Sequence, residues 1–113
     1  MSTSSPFMER VRLEDGFFET DLPLIEPSLS QLFHHLGRFD ASMVYIGLRV
    51  KDRDQPGMRT AIELCVSGLP TLVGMSELGD VKEALHDAET KVISQLVEAA
   101  DRRRPHRGKQ PVR

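Results

Sequence analysis

The chain has one cysteine, one tyrosine and no tryptophan among its 113 residues. A single thiol, Cys65, cannot close an internal disulfide, so the fold must rest on its core alone, as expected of a protein of the reducing cytoplasm. So few aromatic rings, with the phenylalanines mostly on apolar faces, argue against a base-stacking platform for single-stranded nucleic acid. No apolar run approaches the roughly 20 residues that span a bilayer. Met1–Pro6 is polar and lacks the apolar stretch of a secretory signal, so no membrane association is expected. The glycines form neither a phosphate loop nor a dinucleotide pattern. Cys65 has no sequence context for a thiolate nucleophile. His34 and His35 are adjacent, which on a helix separates them by about 100° and denies them the i, i+4 spacing of a zinc site. The acids are scattered, with no spacing that marks a general acid/base couple. No catalytic residue, cofactor, metal or small-molecule substrate is therefore expected, and the chain reads as a non-enzyme.

What is present is an ordinary globular composition, 39% hydrophobic and 28% charged, in a length that allows one two-layer domain. The net charge of −2 conceals an uneven distribution. Residues 102–113 hold six of the 15 Lys and Arg (Arg102, Arg103, Arg104, Arg107, Lys109 and Arg113) and no acid, leaving residues 1–101 at −8. Such an end is either a solubilising terminus or an arm that seeks an anionic partner, nucleic acid first.

Along the chain, residues 1–7 read as a loose leader. Glu9–Leu13 alternates charged and apolar residues, the period of a short strand. Ile25, Leu29, Leu32, Phe33 and Leu36 recur at spacings of three and four, predicting a helix from about Pro27, or slightly earlier, to Arg38. Met43–Lys51 alternates again, with Val44, Ile46, Leu48 and Val50 on one face. Met58–Val66 does the same with Ile62, Leu64 and Val66, and Thr71–Met75 can form a fourth strand. Short polar turns join these three strands, as in an antiparallel meander. Asp80 and Glu83 then open the clearest helix in a capping-box pattern. Its apolar stripe is Val81, Leu85, Ala88, Val92, Leu96 and Ala99, with His86, Glu89, Lys91 and Gln95 around the rest of the circumference; Arg102–Arg104 close it and Pro105 stops it. The expected architecture is α+β, in the order β-α-β-β-β-α. It has a four-stranded mixed sheet with two helices on one face, the first connection being a parallel crossover. The domain is expected over 8–104, followed by a basic disordered tail over 105–113.

The other sheet face would be open, carrying Tyr45, Arg49, Lys51, Arg59 and Glu63. Neighbouring strands lie about 5 Å apart, so Arg49, Lys51 and Arg59 could form one cationic group. Lys82 and Lys91 lie on the final helix, from whose end the basic residues, including Arg107 and Lys109, continue. Several cations on one surface suffice for phosphate contact, because each neutralised phosphate releases counterions.

Asp80–Leu96, D-V-K-E-A-L-H-D-A-E-T-K-V-I-S-Q-L, resembles the closing helix of the ribosome hibernation-promoting and ribosome-associated inhibitor family, matching at Asp80, Ala84, Leu85, Lys91, Val92, Gln95 and Leu96. L-G-R-F-D, Leu36–Asp40, is similar to the end of that family's first helix. The resemblance covers about residues 8–104. It implies a protein that binds ribosomal RNA of the small subunit near the decoding region and silences idle ribosomes under stress, with Arg38, Lys91 and Arg102–Arg104 carried over as RNA contacts. Arg49, Lys51, Arg59, Lys82, Arg107 and Lys109 are added from the surface argument. The chain departs from the family at Gln31, His34 and His35, where bases are usual, and at Ser94 and Glu98. It resembles the short, monomeric forms, without a second domain for pairing ribosomes. A divergent member acting as a protein-interaction module is the alternative.

Overall fold

The computed structural model describes residues 5–103, with only the backbone of Arg103. It is α+β: four strands form one mixed sheet in the spatial order β1-β2-β3-β4. β1 (Val11–Leu13) runs parallel to β2 (Val44–Lys51), with Val11 beside Ile46 and Leu13 beside Leu48. β3 (Arg59–Val66) and β4 (Leu72–Ser76) complete the antiparallel meander, with Leu48 opposite Ile62 and Ile62 opposite Gly74. The expected alternation holds. Ile46, Leu48, Ile62 and Leu64 are fully buried on the helix-covered face, while Arg49, Lys51 and Arg59 are exposed on the other.

The crossover from β1 to β2 differs from the single helix expected. It is two short helices, α1 (Leu22–Ser28) and α2 (Ser30–His35), followed by a 3-10 turn at Leu36–Arg38. α1 starts five residues before Pro27, and Pro27 lies inside it. Proline has no amide proton and its ring crowds the preceding turn, while the Ser28 hydroxyl donates to the Leu24 carbonyl at 2.7 Å, a back-bond that bends helices. The break follows at Leu29, with φ −106° and ψ 14°. The apolar spacing survives it, and Ile25, Leu29, Leu32 and Leu36 are fully buried.

The packed domain also begins earlier than expected. Phe7, assigned to the leader by its polar surroundings, sits in a 3-10 turn over Pro6–Arg10, is buried, and stacks on Phe33 with ring centroids 6.3 Å apart. The strand expected from Glu9 starts only at Val11 for that reason.

α3 (Val81–Arg103) starts as expected, the Asp80 carboxylate accepting from the Glu83 amide at 3.0 Å. It settles on β4 at Gly74, where a Cβ would run into the Ala88 carbonyl oxygen and lie 2.7 Å from a Val92 methyl. From this position α3 protects the sheet's outer edge. Gln95 accepts from the Val73 amide at 3.3 Å and donates to the Val73 carbonyl at 2.7 Å. The Lys91 ammonium donates to the Met75 carbonyl at 2.7 Å. An unpaired edge is a template for aggregation, and these side chains occupy it. Glu89, expected on the outer circumference, is instead 1% exposed and faces the break in the crossover.

Candidate nucleic-acid interface

The open sheet face is where β2 and β3 bring together the predicted cations. Arg49 stands in the middle, its guanidinium 3.6 Å from Glu14 and 3.8 Å from Glu63. Glu14 also accepts the Tyr45 hydroxyl proton at 2.5 Å. That bond raises the Tyr45 pKa, since it stabilises the protonated phenol. Gly47 lies beneath this group, where a Cβ would be 3.1 Å from both the Glu14 carboxylate and the Tyr45 hydroxyl. Arg49 is therefore a neutralised cation within a Tyr45–Glu14–Arg49–Glu63 network.

Lys51 and Arg59 are placed differently. They are direct cross-strand partners at the end of the β2–β3 ladder, and both are exposed. Neither forms an ion pair among the described residues. They line a shallow groove of about 560 Å³ with Asp15, Arg49, Ala61 and Met75.

The remaining predicted contacts lie in the helical layer, on the opposite side of the sheet. Arg38 follows α2, with its guanidinium 5.7 Å from the centre of the Phe39 ring. With His34, His35, Leu96, Val97 and Asp101 it lines a second groove, of about 390 Å³, between the crossover and the end of α3. His34 and His35 meet edge to face at 6.0 Å. Lys82 shares its surroundings with Asp80, Glu83 and Asp87. Lys91 lies 3.3 Å from Asp87 in addition to holding Met75. Its ammonium is thus engaged by a strand carbonyl and a carboxylate, while half of its side chain stays exposed. Arg102 pairs with Glu98 at 3.3 Å. Arg103 ends α3; its side chain, and Arg104, Arg107 and Lys109, lie outside the described residues.

The body's cations therefore do not gather into one stripe. They divide between two faces: on the open face carboxylates hold Arg49, and in the helical layer they hold Lys91 and Arg102. Sequence patterning placed the strand cations on a common face, but partnering depends on Glu14, which lies outside any strand, and on residues one helical turn away. The matches that carried the family likeness are mainly structural here. Ala84, Leu85, Val92 and Leu96 are core, Asp80 is a cap, and Lys91 and Gln95 hold the sheet edge.

Two arrangements had no local signal. Arg53, in the polar loop after β2, makes a two-pronged ion pair with buried Asp21 at 2.8 and 2.9 Å. It also donates to the Gly16 carbonyl at 2.7 Å and lies over Phe17. The Asp21 carboxyl is held below its ordinary pKa, chiefly by Arg53. This clip fastens the β2–β3 loop, whose Asp52 and Asp54 have positive φ, to the chain leaving β1. The second arrangement is buried Glu89, which accepts from the Leu32 amide at 2.8 Å and lies 3.4 Å from His86. Burial raises its pKa, opposed by these partners.

Among the described residues, no group of three or more His, Cys, Asp or Glu side chains is arranged to hold a metal ion, and no helix is long and apolar enough to cross a membrane. Cys65 is half-buried on the open face, 3.7 Å from the Thr71 hydroxyl. Compared with known proteins, the chain matches no protein-family model and no curated relative.

Proposed function

We propose that the protein is a cytoplasmic, monomeric, ribosome-associated translation inhibitor that binds the small subunit near the decoding region and silences idle ribosomes under stress. The carrying observation is the charge asymmetry: six bases and no acid over residues 102–113, continuing from α3, against a body of −8. The α+β architecture is that implied by the resemblance in Asp80–Leu96, and Lys51, Arg59 and Arg38 add cations that no carboxylate holds in a described ion pair. Recognition would proceed through RNA shape and phosphate rather than stacking, as for structured RNA.

Co-sedimentation of the purified protein with small ribosomal subunits tests the reading. Binding at roughly 50 mM monovalent salt that weakens steeply as salt rises is expected, because released counterions drive it. No co-migration at low salt would discard it.

One observation favours a second reading. Arg49, Lys91 and Arg102 each have a carboxylate partner, as in a protein-interaction module that keeps the fold without the ribosome. Recovery of a defined basic protein partner in a pull-down free of ribosomal RNA would select it.

A further inference from the structure

Lys51 and Arg59 face each other directly across β2 and β3. Like charges so opposed destabilise an antiparallel pair. The rest of the open face avoids such opposition, since Arg49 lies between Glu14 and Glu63. Of the groove's residues, Asp15 supplies the one carboxylate. Its carbonyl accepts from the Val50 amide at 2.8 Å, which puts it on the β1 side of β2, whereas Arg59 lies on the other side. Neither cation of the pair forms an ion pair with Asp15 or with any other described carboxylate, and both line an open groove.

We propose that Lys51 and Arg59 form a clamp for one phosphate group of an RNA backbone. The clamp rests on the ribosome-binding reading and names the point of contact on the face away from the helices. A guanidinium fork and a mobile ammonium are complementary donors for a tetrahedral oxyanion. The groove, of about 560 Å³, admits a phosphodiester with its sugar. Ala61 and half-exposed Met75 offer the sugar and base an apolar floor towards β4. Asp15 repels a second phosphate at the opposite rim, which limits the site to one. The clamp exchanges fold stability for anion affinity, and that exchange is its signature.

The test compares Lys51→Gln, Arg59→Gln and the double variant with the intact chain. Each single variant is expected to unfold at a higher temperature in the absence of RNA, because like-charge opposition is relieved. Each is also expected to bind small subunits more weakly, with the slope of log affinity against log salt reduced by less than about one, because the remaining cation still neutralises the phosphate. The double variant should reduce the slope by about one in total, since both residues hold the same phosphate. An unchanged slope in the double variant, or a reduction of about two there, overturns the shared clamp. If the intact chain fails to bind subunits, the ribosome reading falls, and the clamp is judged on the protein alone. Inorganic phosphate titrated at fixed ionic strength should then shift the Lys51 and Arg59 amide resonances saturably, and the variants should lose that response. Absence of a saturable shift overturns the clamp independently.

Discussion

The Glu89 carboxylate of α3 accepts a hydrogen bond from the amide of Leu32, 57 residues earlier in the chain, and both side chains are buried. The first amides of a helix have no partner within it, and the break at Leu29 creates such a start in mid-crossover. Glu89 supplies the missing acceptor from another element. Replacing it with alanine leaves buried donors unpaired and should lower stability by about 3 kcal/mol, measured by urea unfolding. Glu89→Gln keeps an acceptor without a charge and should stay near the stability of the intact chain.

The same residue predicts a pH dependence. Because burial raises its pKa in the folded state, the folded chain binds the proton more tightly than the unfolded chain. Its contribution to stability is greatest below the unfolded value of about 4.3, and declines as pH rises from there through the folded pKa. Glu89→Gln should flatten the stability profile above about pH 4; a profile unchanged by the substitution would refute the assignment.

Asp21 predicts the opposite sign in a lower window. Arg53 depresses its folded pKa, so the clip contributes fully above the unfolded value of about 3.9 and is lost as pH falls through the folded one. Asp21→Asn should lower neutral-pH stability by about 2 kcal/mol, as expected for losing a charged hydrogen-bonding partner, and should remove that acid-side slope. Urea titrations from pH 2 to neutrality read both effects.

Gly74→Ala places a methyl against the Ala88 carbonyl and Val92. Overpacking at a rigid helix–strand contact costs about 1–3 kcal/mol. Gln95→Ala, at the same contact, should cost about 1 kcal/mol and increase aggregation, since it uncovers both polar groups of the Val73 peptide at the sheet edge. Thermal unfolding with light scattering separates the two outcomes.

Among the cations, Arg49→Gln should change the salt dependence of subunit binding little, because Glu14 and Glu63 already neutralise it. Ending the chain after Asp101 removes six bases and should flatten the slope by up to about five. An unchanged slope in that truncation refutes the basic end as the main electrostatic contact.

The strand alternation of Val44–Val50 and Ile62–Val66, and the stripe from Val81 to Ala99, were legible because side-chain direction repeats every two or 3.6 residues. These patterns carried the element order, the mixed sheet and the face on which Arg49, Lys51 and Arg59 stand. Phe7 and the break at Leu29 were not legible. A lone aromatic in a polar stretch has no period, and a proline-containing helix can continue or bend according to what supports it.

The sequence by itself determined the apolar faces of the strands and of the last helix, and that positive charge accumulates at its end, because these follow from local geometry and composition. Only the tertiary structure decided which charges are free. Whether Lys91 reaches a strand carbonyl, whether Glu89 is solvated or buried, and whether Arg53 is a loop cation or a clip depend on groups many residues away. Electrostatic and hydrogen-bonding energies act over a few ångströms in space without regard to chain separation, and no window of sequence contains both partners.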